Sequence, residues 1–158
     1  MAVIETDVLA LPEVAENGPR RCYYCKRAIF SLIFERARRA GYDTVIDGTT
    51  ASDQVDDRPG MQAIAELGVL SPLRLCGITK AMVREMSAAA GLFTADKPSY
   101  ACLATRVPTG TPITRADLEK LQRSDNALHA LGFSDFRVRL EGSGARPASP
   151  PHQPPALF

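Results

Sequence analysis

Three cysteines carry the strongest chemical signal in this chain. Cys22 and Cys25 sit in Arg21-Cys22-Tyr23-Tyr24-Cys25-Lys26, and Cys102 in Pro98-Ser99-Tyr100-Ala101-Cys102-Leu103-Ala104. A C-x-x-C pair at the mouth of a helix, joined by a distant third cysteine, can hold a metal or cluster through three thiolates. One coordination position then stays open for chemistry. A thioredoxin-like redox pair, or plain buried thiols, fits the same spacing. The fourth cysteine, Cys76, lies between Leu75 and Gly77. It is expected to fill a small apolar space rather than to act as a ligand.

Arginines form a second candidate site. Phe136-Arg137-Val138-Arg139-Leu140 alternates with period two. Arg137 and Arg139 therefore share one strand face, about 7 Å apart at roughly 3.4 Å of rise per residue. Two guanidiniums at that separation can grip a phosphate or two carboxylates by forked hydrogen bonds. A solvated polar strand face has the same pattern. In the preceding segment Leu118, Leu121, position 125 and Leu128 follow a helical seam, and position 125 is Asp. A carboxylate in an apolar stripe costs free energy unless it is paired. Asp125 is thus expected either to rotate to the surface or to pair with Arg137 or Arg139.

The elements that position these groups follow from periodicity and punctuation. Ala2-Val3-Ile4-Glu5 reads as a short strand, and Pro12 to Pro19 as a polar loop. Tyr23 to Ala40 reads as a helix, with Ile29, Leu32, Ile33 and Ala37 on one face and Gly41 as its stop. Thr44-Val45-Ile46 is a buried-strand pattern ending at Asp47-Gly48-Thr49. Helix followed by buried strand predicts βαβ units and a parallel sheet, with ligands outside the carboxyl ends of its strands. Asp47, Asp53, Asp56 and Asp57 lie in the loop that leaves this strand. That loop is either a site or a solvated acidic turn. A short helix from Gly60 to Leu67, a strand from Leu70 to Leu75 and a helix capped by Thr79 and running to Ala90 follow. Residues from Lys97 to Pro112 form a loop holding Cys102 and Arg106. Thr114 is an N-cap signal, with Asp117 in the first turn of a helix that reaches Leu131. Five of the chain's 12 prolines lie between Pro147 and Pro155, without periodicity, so residues 142–158 read as disordered.

Composition narrows the class. The 158 residues are 45% apolar, enough for a core, and carry a net charge of +1. That balance gives no electrostatic signal for nucleic acid or a membrane surface. No apolar run reaches spanning length, and no signal-peptide pattern opens the chain. Four cysteines without an export signal point to a reducing compartment, by default the cytoplasm.

The motifs, taken in order, resemble a known family. Arg21-Cys22-Tyr23-Tyr24-Cys25-Lys26, Asp47-Gly48-Thr49, Asp57-Arg58-Pro59-Gly60, Ser71-Pro72-Leu73, Thr79-Lys80, Lys97-Pro98-Ser99 and Ala101-Cys102-Leu103-Ala104-Thr105-Arg106 are followed by Gly132-Phe133 and Arg137-Val138-Arg139. Over about residues 1 to 146 the chain is similar to the LarE-type ATP-dependent sacrificial sulfur transferases, members of the PP-loop ATP pyrophosphatase superfamily. The resemblance implies an α/β fold: an incomplete Rossmann-like nucleotide domain over 1–107, a small α/β substrate and oligomerisation domain over 108–141, and a tail over 142–158. It implies ATP-dependent conversion of an adenylylated pyridinium carboxylate to a thiocarboxylate in nickel-pincer nucleotide biosynthesis. Members with one key cysteine, matching Cys102, give up its sulfur. Members with three, matching Cys22, Cys25 and Cys102, hold a 4Fe-4S cluster whose fourth iron carries an extra sulfide. Cys102 is then the expected catalytic residue. Arg137 and Arg139 are expected to bind an anionic substrate, with Asp125 standing where a glutamate is usual. Asp47, Gly48, Thr49, Asp57 and Arg58 are expected on the nucleotide side, facing ATP and Mg. Expected partners are a small nucleotide substrate and further copies of the chain, with neither nucleic acid nor membrane.

The departures from the family pattern set further expectations. A Ser-Gly-Gly-x-Asp-Ser loop, whose amides would cradle the ATP phosphates, is missing, and the proline-rich run replaces an expected strand after Ala145-Arg146. The chain is therefore expected to be a member truncated at both ends, with a shifted reading frame after Arg146, and not to bind ATP productively. Another PP-loop activity, such as tRNA thiolation or amide synthesis, is the alternative enzyme. A non-catalytic metal-binding remnant is the alternative outside catalysis.

Overall fold

The computed structural model describes residues 2–53, 58–142 and 144–148. In chain order the helices are α1 (Pro12–Ala15), α2 (Arg21–Arg39), α3 (Pro59–Glu66), α4 (Pro72–Leu75), α5 (Lys80–Ala89) and α6 (Arg115–Ala130). Short 3-10 turns occupy Val8–Ala10 and Leu103–Arg106, and the strands β1 (Arg137–Glu141) and β2 (Gly144–Ala148) close the order. The class is mixed α/β, as the periodicity implies.

The helices start and stop for local reasons. Thr79 and Thr114 each accept a hydrogen bond from the backbone N–H three residues on, at Met82 and Asp117. That bond satisfies one of the amides a first turn leaves open. Pro59 and Pro72 open α3 and α4, where a missing N–H costs nothing. α2 ends with Arg36, Arg38 and Arg39 at its negative pole.

The expected parallel sheet is not formed among the described residues. What remains of it is one parallel bridge between Ile46 and Leu70, held by Leu70 N–H to Val45 O and Asp47 N–H to Leu70 O at 3.0 and 2.9 Å. Ala2–Glu5 has no strand partner among the described residues. Ala2 and Ile4 instead line an open cavity of about 440 Å³ with Ile33 and Ala37 of α2. The run from Leu70 to Leu75 is not a strand beyond its first residue, because Pro72 turns it into α4. That turn also overturns the expectation for Cys76. It caps a surface helix beside the largely exposed Leu75, so its thiol is exposed rather than packed.

The core lies at the C-terminal end. Val107, Ile113, Leu121, Val138 and Leu140 form it, with Leu9, Leu103, Ala104, Leu118, Leu128 and Phe136 against its sides. It joins the 3-10 turn to α6 and β1, so packing runs straight across residues 107 and 108. β1 alternates exposed and buried, with Val138 and Leu140 inward. β2 pairs with it antiparallel. Residues 144–148 are therefore ordered by a ladder, and the expectation that disorder begins at 142 does not hold for them. Residues 149–158 lie outside the described residues.

A second contact region pairs α2 with α3 through Tyr23, Ala63 and Ile64, all buried. Gly60 makes this approach close. A Cβ there would stand 3.0 Å from Lys26 Cδ and 3.4 Å from the carbonyl oxygen of Cys22.

Candidate functional site

The turn before α2 brings two distant stretches of chain together. Asn17 is 1% exposed and has a positive φ of 57°, a left-handed conformation that Asn tolerates better than most residues. There its Nδ2 donates to the carbonyls of Pro108 and Thr111, both at 2.9 Å, and reaches Val107 O at 3.5 Å. Its backbone carbonyl accepts from Gly110 N–H at 2.9 Å, and Ala15 O accepts from Ile113 N–H at 2.7 Å. Arg21, at the start of α2, completes the clamp. Its Nη1 donates to Asn17 Oδ1 at 2.5 Å and to Ala104 O at 2.7 Å, while Nη2 lies 3.3 Å from Cys22 Sγ. The loop carrying Cys102 is thus tied to the first turn of the helix that carries Cys22 and Cys25.

The thiols consequently share one corner. Cys22 and Cys102 are exposed and Cys25 is half-buried. Burial pushes the Cys25 thiol above its ordinary value. Cys102 and then Cys22 add to that push, more than Arg21 and Lys26 offset it. Cys25 therefore senses both other cysteines. Among the described residues, however, no three His, Cys, Asp or Glu side chains converge closely enough to hold a metal ion. The donor chemistry suits an iron–sulfur or zinc centre, but the side chains as placed do not close one.

Behind Cys102 stands a buried ion pair. Asp125 is 0% exposed and Arg106 3%. Arg106 Nη1 donates to both carboxylate oxygens of Asp125, at 2.5 and 2.6 Å, and Tyr100 OH donates to Oδ2 at 2.7 Å. The Arg106 guanidinium also lies 4.9 Å from the centre of the Tyr100 ring. The seam position of Asp125 is thus real, but its partner is Arg106 rather than Arg137 or Arg139. Those two arginines follow the outward phase of β1, set by Val138 and Leu140, and are exposed. Arg106 Nε is buried without a hydrogen-bond partner among the described residues.

The acidic loop is stitched to itself. Thr49 donates its N–H and hydroxyl to the two carboxylate oxygens of Asp47, at 3.1 and 2.6 Å, and Ser71 Oγ donates to Oδ1 at 2.7 Å. Asp47 and Ser71 directly follow the Ile46–Leu70 bridge, so this knot sits at the carboxyl end of the parallel pair. Asp53 accepts from Thr50 N–H and hydroxyl, both at 2.9 Å, and pairs loosely with Arg58 at 3.8 Å. Gly48 is exposed and Thr49 buried. Asp57, like Asp56, lies outside the described residues.

These bonds tune acidity. Burial raises the Asp47 carboxyl, but the hydrogen bonds from Thr49 and Ser71 outweigh it and hold the group below its ordinary value. The backbone bond from Thr50 does the same for Asp53. A carboxyl held low when folded stabilises the fold above its unfolded value, near 3.9, and loses that contribution as pH falls through its lower folded value. Asp47→Asn should therefore unfold more readily than the parent at pH 7. The gap should close below about pH 4, as read from urea midpoints across pH. An equal gap at every pH would assign the effect to packing.

Asn17, Arg21 and Tyr100 were not singled out by spacing. Asn17 does announce itself weakly, because Asn17-Gly18-Pro19 is a turn signal and Asn is enriched in the left-handed region.

The chain is similar to a pyridinium-3,5-bisthiocarboxylic acid mononucleotide synthase. That protein, from Lactiplantibacillus plantarum, is 31% identical over 140 residues, covering 89% of this chain and 51% of its own length. An uncharacterized protein of Synechocystis sp. is 39% identical over 151 residues, covering 96% of this chain and 56% of its own. An uncharacterized protein of Methanocaldococcus jannaschii is 32% identical over 132 residues, covering 84% and 52%. The chain thus spans about half the length of the curated relatives it matches. No protein-family model matches it. Among the described residues no helix is long and apolar enough to cross a membrane.

Proposed function

We propose that this chain carries the sulfur-bearing half of a LarE-type sulfur transferase, which converts an activated pyridinium carboxylate to a thiocarboxylate in nickel-pincer nucleotide biosynthesis. The observation that carries the reading is the docking of the Cys102 loop onto the Cys22–Cys25 turn by Asn17 and Arg21. The likeness to a pyridinium-3,5-bisthiocarboxylic acid mononucleotide synthase supports it. ATP with Mg and a pyridinium dicarboxylate mononucleotide are the substrates of the whole activity in this proposal. Cys22, Cys25 and Cys102 are the residues that would hold a 4Fe-4S cluster, which when bound supplies an iron with an open position for sulfide.

The chain's own residues take the remaining roles. Arg21 holds the Cys102 turn and touches Cys22. Arg106, fixed by Asp125, anchors the other end of that turn. Arg137 and Arg139 present exposed guanidiniums to an anionic substrate. Asp47, Gly48 and Thr49 follow the parallel bridge at its carboxyl end, the side of an α/β sheet where nucleotides bind, and Arg58 pairs with Asp53 of the same loop. The proposed compartment is the cytoplasm, where such thiols stay reduced.

Anaerobic reconstitution with iron and sulfide tests the thiol assignment. Visible iron–sulfur absorption should appear in the parent chain and in Cys76→Ser. It should be lost in Cys22→Ser, Cys25→Ser and Cys102→Ser alike. Retention of zinc with no iron–sulfur spectrum would defeat the cluster assignment, since thiolate softness suits both metals.

A further inference from the structure

The outer face of the β1–β2 hairpin carries three arginines, one more than the alternation of β1 supplies. Residues directly opposite in an antiparallel ladder project to the same side of the sheet. Arg139 stands opposite Arg146, Arg137 opposite Ala148, and Glu141 opposite Gly144. Val138 and Leu140 take the buried side. Arg137, Arg139, Glu141 and Arg146 therefore share the outer face. The 3.0 Å contact between Arg146 Nε and Glu141 Oε2 runs diagonally across the ladder, as a shared face requires.

Two features mark this face as an anion site. Like charges directly opposite in a ladder are destabilising, and Arg139 with Arg146 is such a pair. Glu141 offsets only one of them. Its carboxylate contacts Arg146, and Arg137 and Arg139 have no ion pair among the described residues. The arrangement has more cationic donors than acceptors and one internal carboxylate already engaged by the third arm.

We infer that Arg146 is the third arm of an anion site with Arg137 and Arg139, built for a phosphate monoester, and that Glu141 is its internal competitor. A carboxylate brings one charge spread over two oxygens, which a single guanidinium fork balances. A phosphate monoester offers three acceptor oxygens and close to two charges, which matches three forks. When the phosphate arrives, Arg146 exchanges Glu141 for it and the repulsion across the ladder is relieved. This inference rests on the reading that Arg137 and Arg139 receive an anionic substrate. It adds a third arginine to that site and a competitor within the chain.

Calorimetric titration of the full chain at fixed ionic strength tests it. The probes are inorganic phosphate, nicotinic acid mononucleotide and nicotinic acid without phosphate. Arg146→Ala should weaken both phosphate-bearing probes by about five- to ten-fold and leave nicotinic acid unaffected. Arg146→Lys should recover only part, because the fork is lost. Glu141→Gln should tighten both phosphate probes by about two- to five-fold, the worth of an exposed ion pair. A merely structural Glu141 would not produce that gain. Phosphate binding unchanged in Glu141→Gln and Arg146→Lys, but lost in Arg137→Ala and Arg139→Ala, would leave the two-arginine site standing and overturn the third arm. Binding unchanged in all the arginine variants would overturn both.

Discussion

Asp125→Leu should cost about 3–5 kcal/mol of folding stability, the range for removing one partner of a buried ion pair. That is a large share of what a domain this size possesses. Asp125 has no solvent exposure and is, among the described residues, the sole carboxylate on Arg106, which is itself 3% exposed. Leucine leaves that guanidinium charged and buried without its carboxylate, with Nε already lacking a partner among the described residues. Tyr100 OH loses its acceptor in the same stroke. Asp125→Asn should cost less, since an amide oxygen still accepts. The double variant Asp125→Leu with Arg106→Met should recover most of the loss, because both desolvation penalties are removed together. Urea midpoints at constant m-value measure all three. A single leucine variant within about 1 kcal/mol of the parent would mean that water reaches this pair.

Asn17→Ala should be the next most costly change, at about 2–4 kcal/mol. Alanine must hold the left-handed φ of 57° without an amide. It also abandons the carbonyls of Pro108 and Thr111 and the Oδ1 acceptor of Arg21. Asn17→Gly keeps the backbone at ease and loses only the hydrogen bonds, so it should fall between alanine and the parent. Both variants should free the 98–111 loop, and iodoacetamide should label Cys102 faster while labelling of Cys76 stays constant. Unchanged Cys102 labelling in a destabilised Asn17→Ala would detach the clamp from the thiol corner.

Features encoded within a few residues were legible in the sequence. Thr79 and Thr114 cap helices as their side chains suggest. The span of α2 is met within two residues, and β1 alternates as Phe136 to Leu140 imply. Strands were less legible because a strand exists only through a partner. Ala2–Glu5 has the composition of one and no neighbour to pair with among the described residues, and Leu70 pairs for a single residue before Pro72 bends the chain. The site shows the same division. The three cysteines and two arginines stand out by type and spacing. The partner of Asp125 does not, because proximity in sequence favoured Arg137 and Arg139 while packing turned them outward. Arg106 reaches Asp125 from a loop whose course is set by Asn17, some ninety residues before it. No local pattern encodes that closure.

The Arg21 clamp also imposes an order in time. Its contact with Ala104 closes a span of 83 residues. At a synthesis rate of about 5–20 residues per second, Ala104 follows Arg21 from the ribosome by roughly 4–17 seconds. During that interval Cys22 and Cys25 exist as a dithiol without their third companion. Any centre built on all three sulfurs would have to wait for Cys102, the last of them to be made.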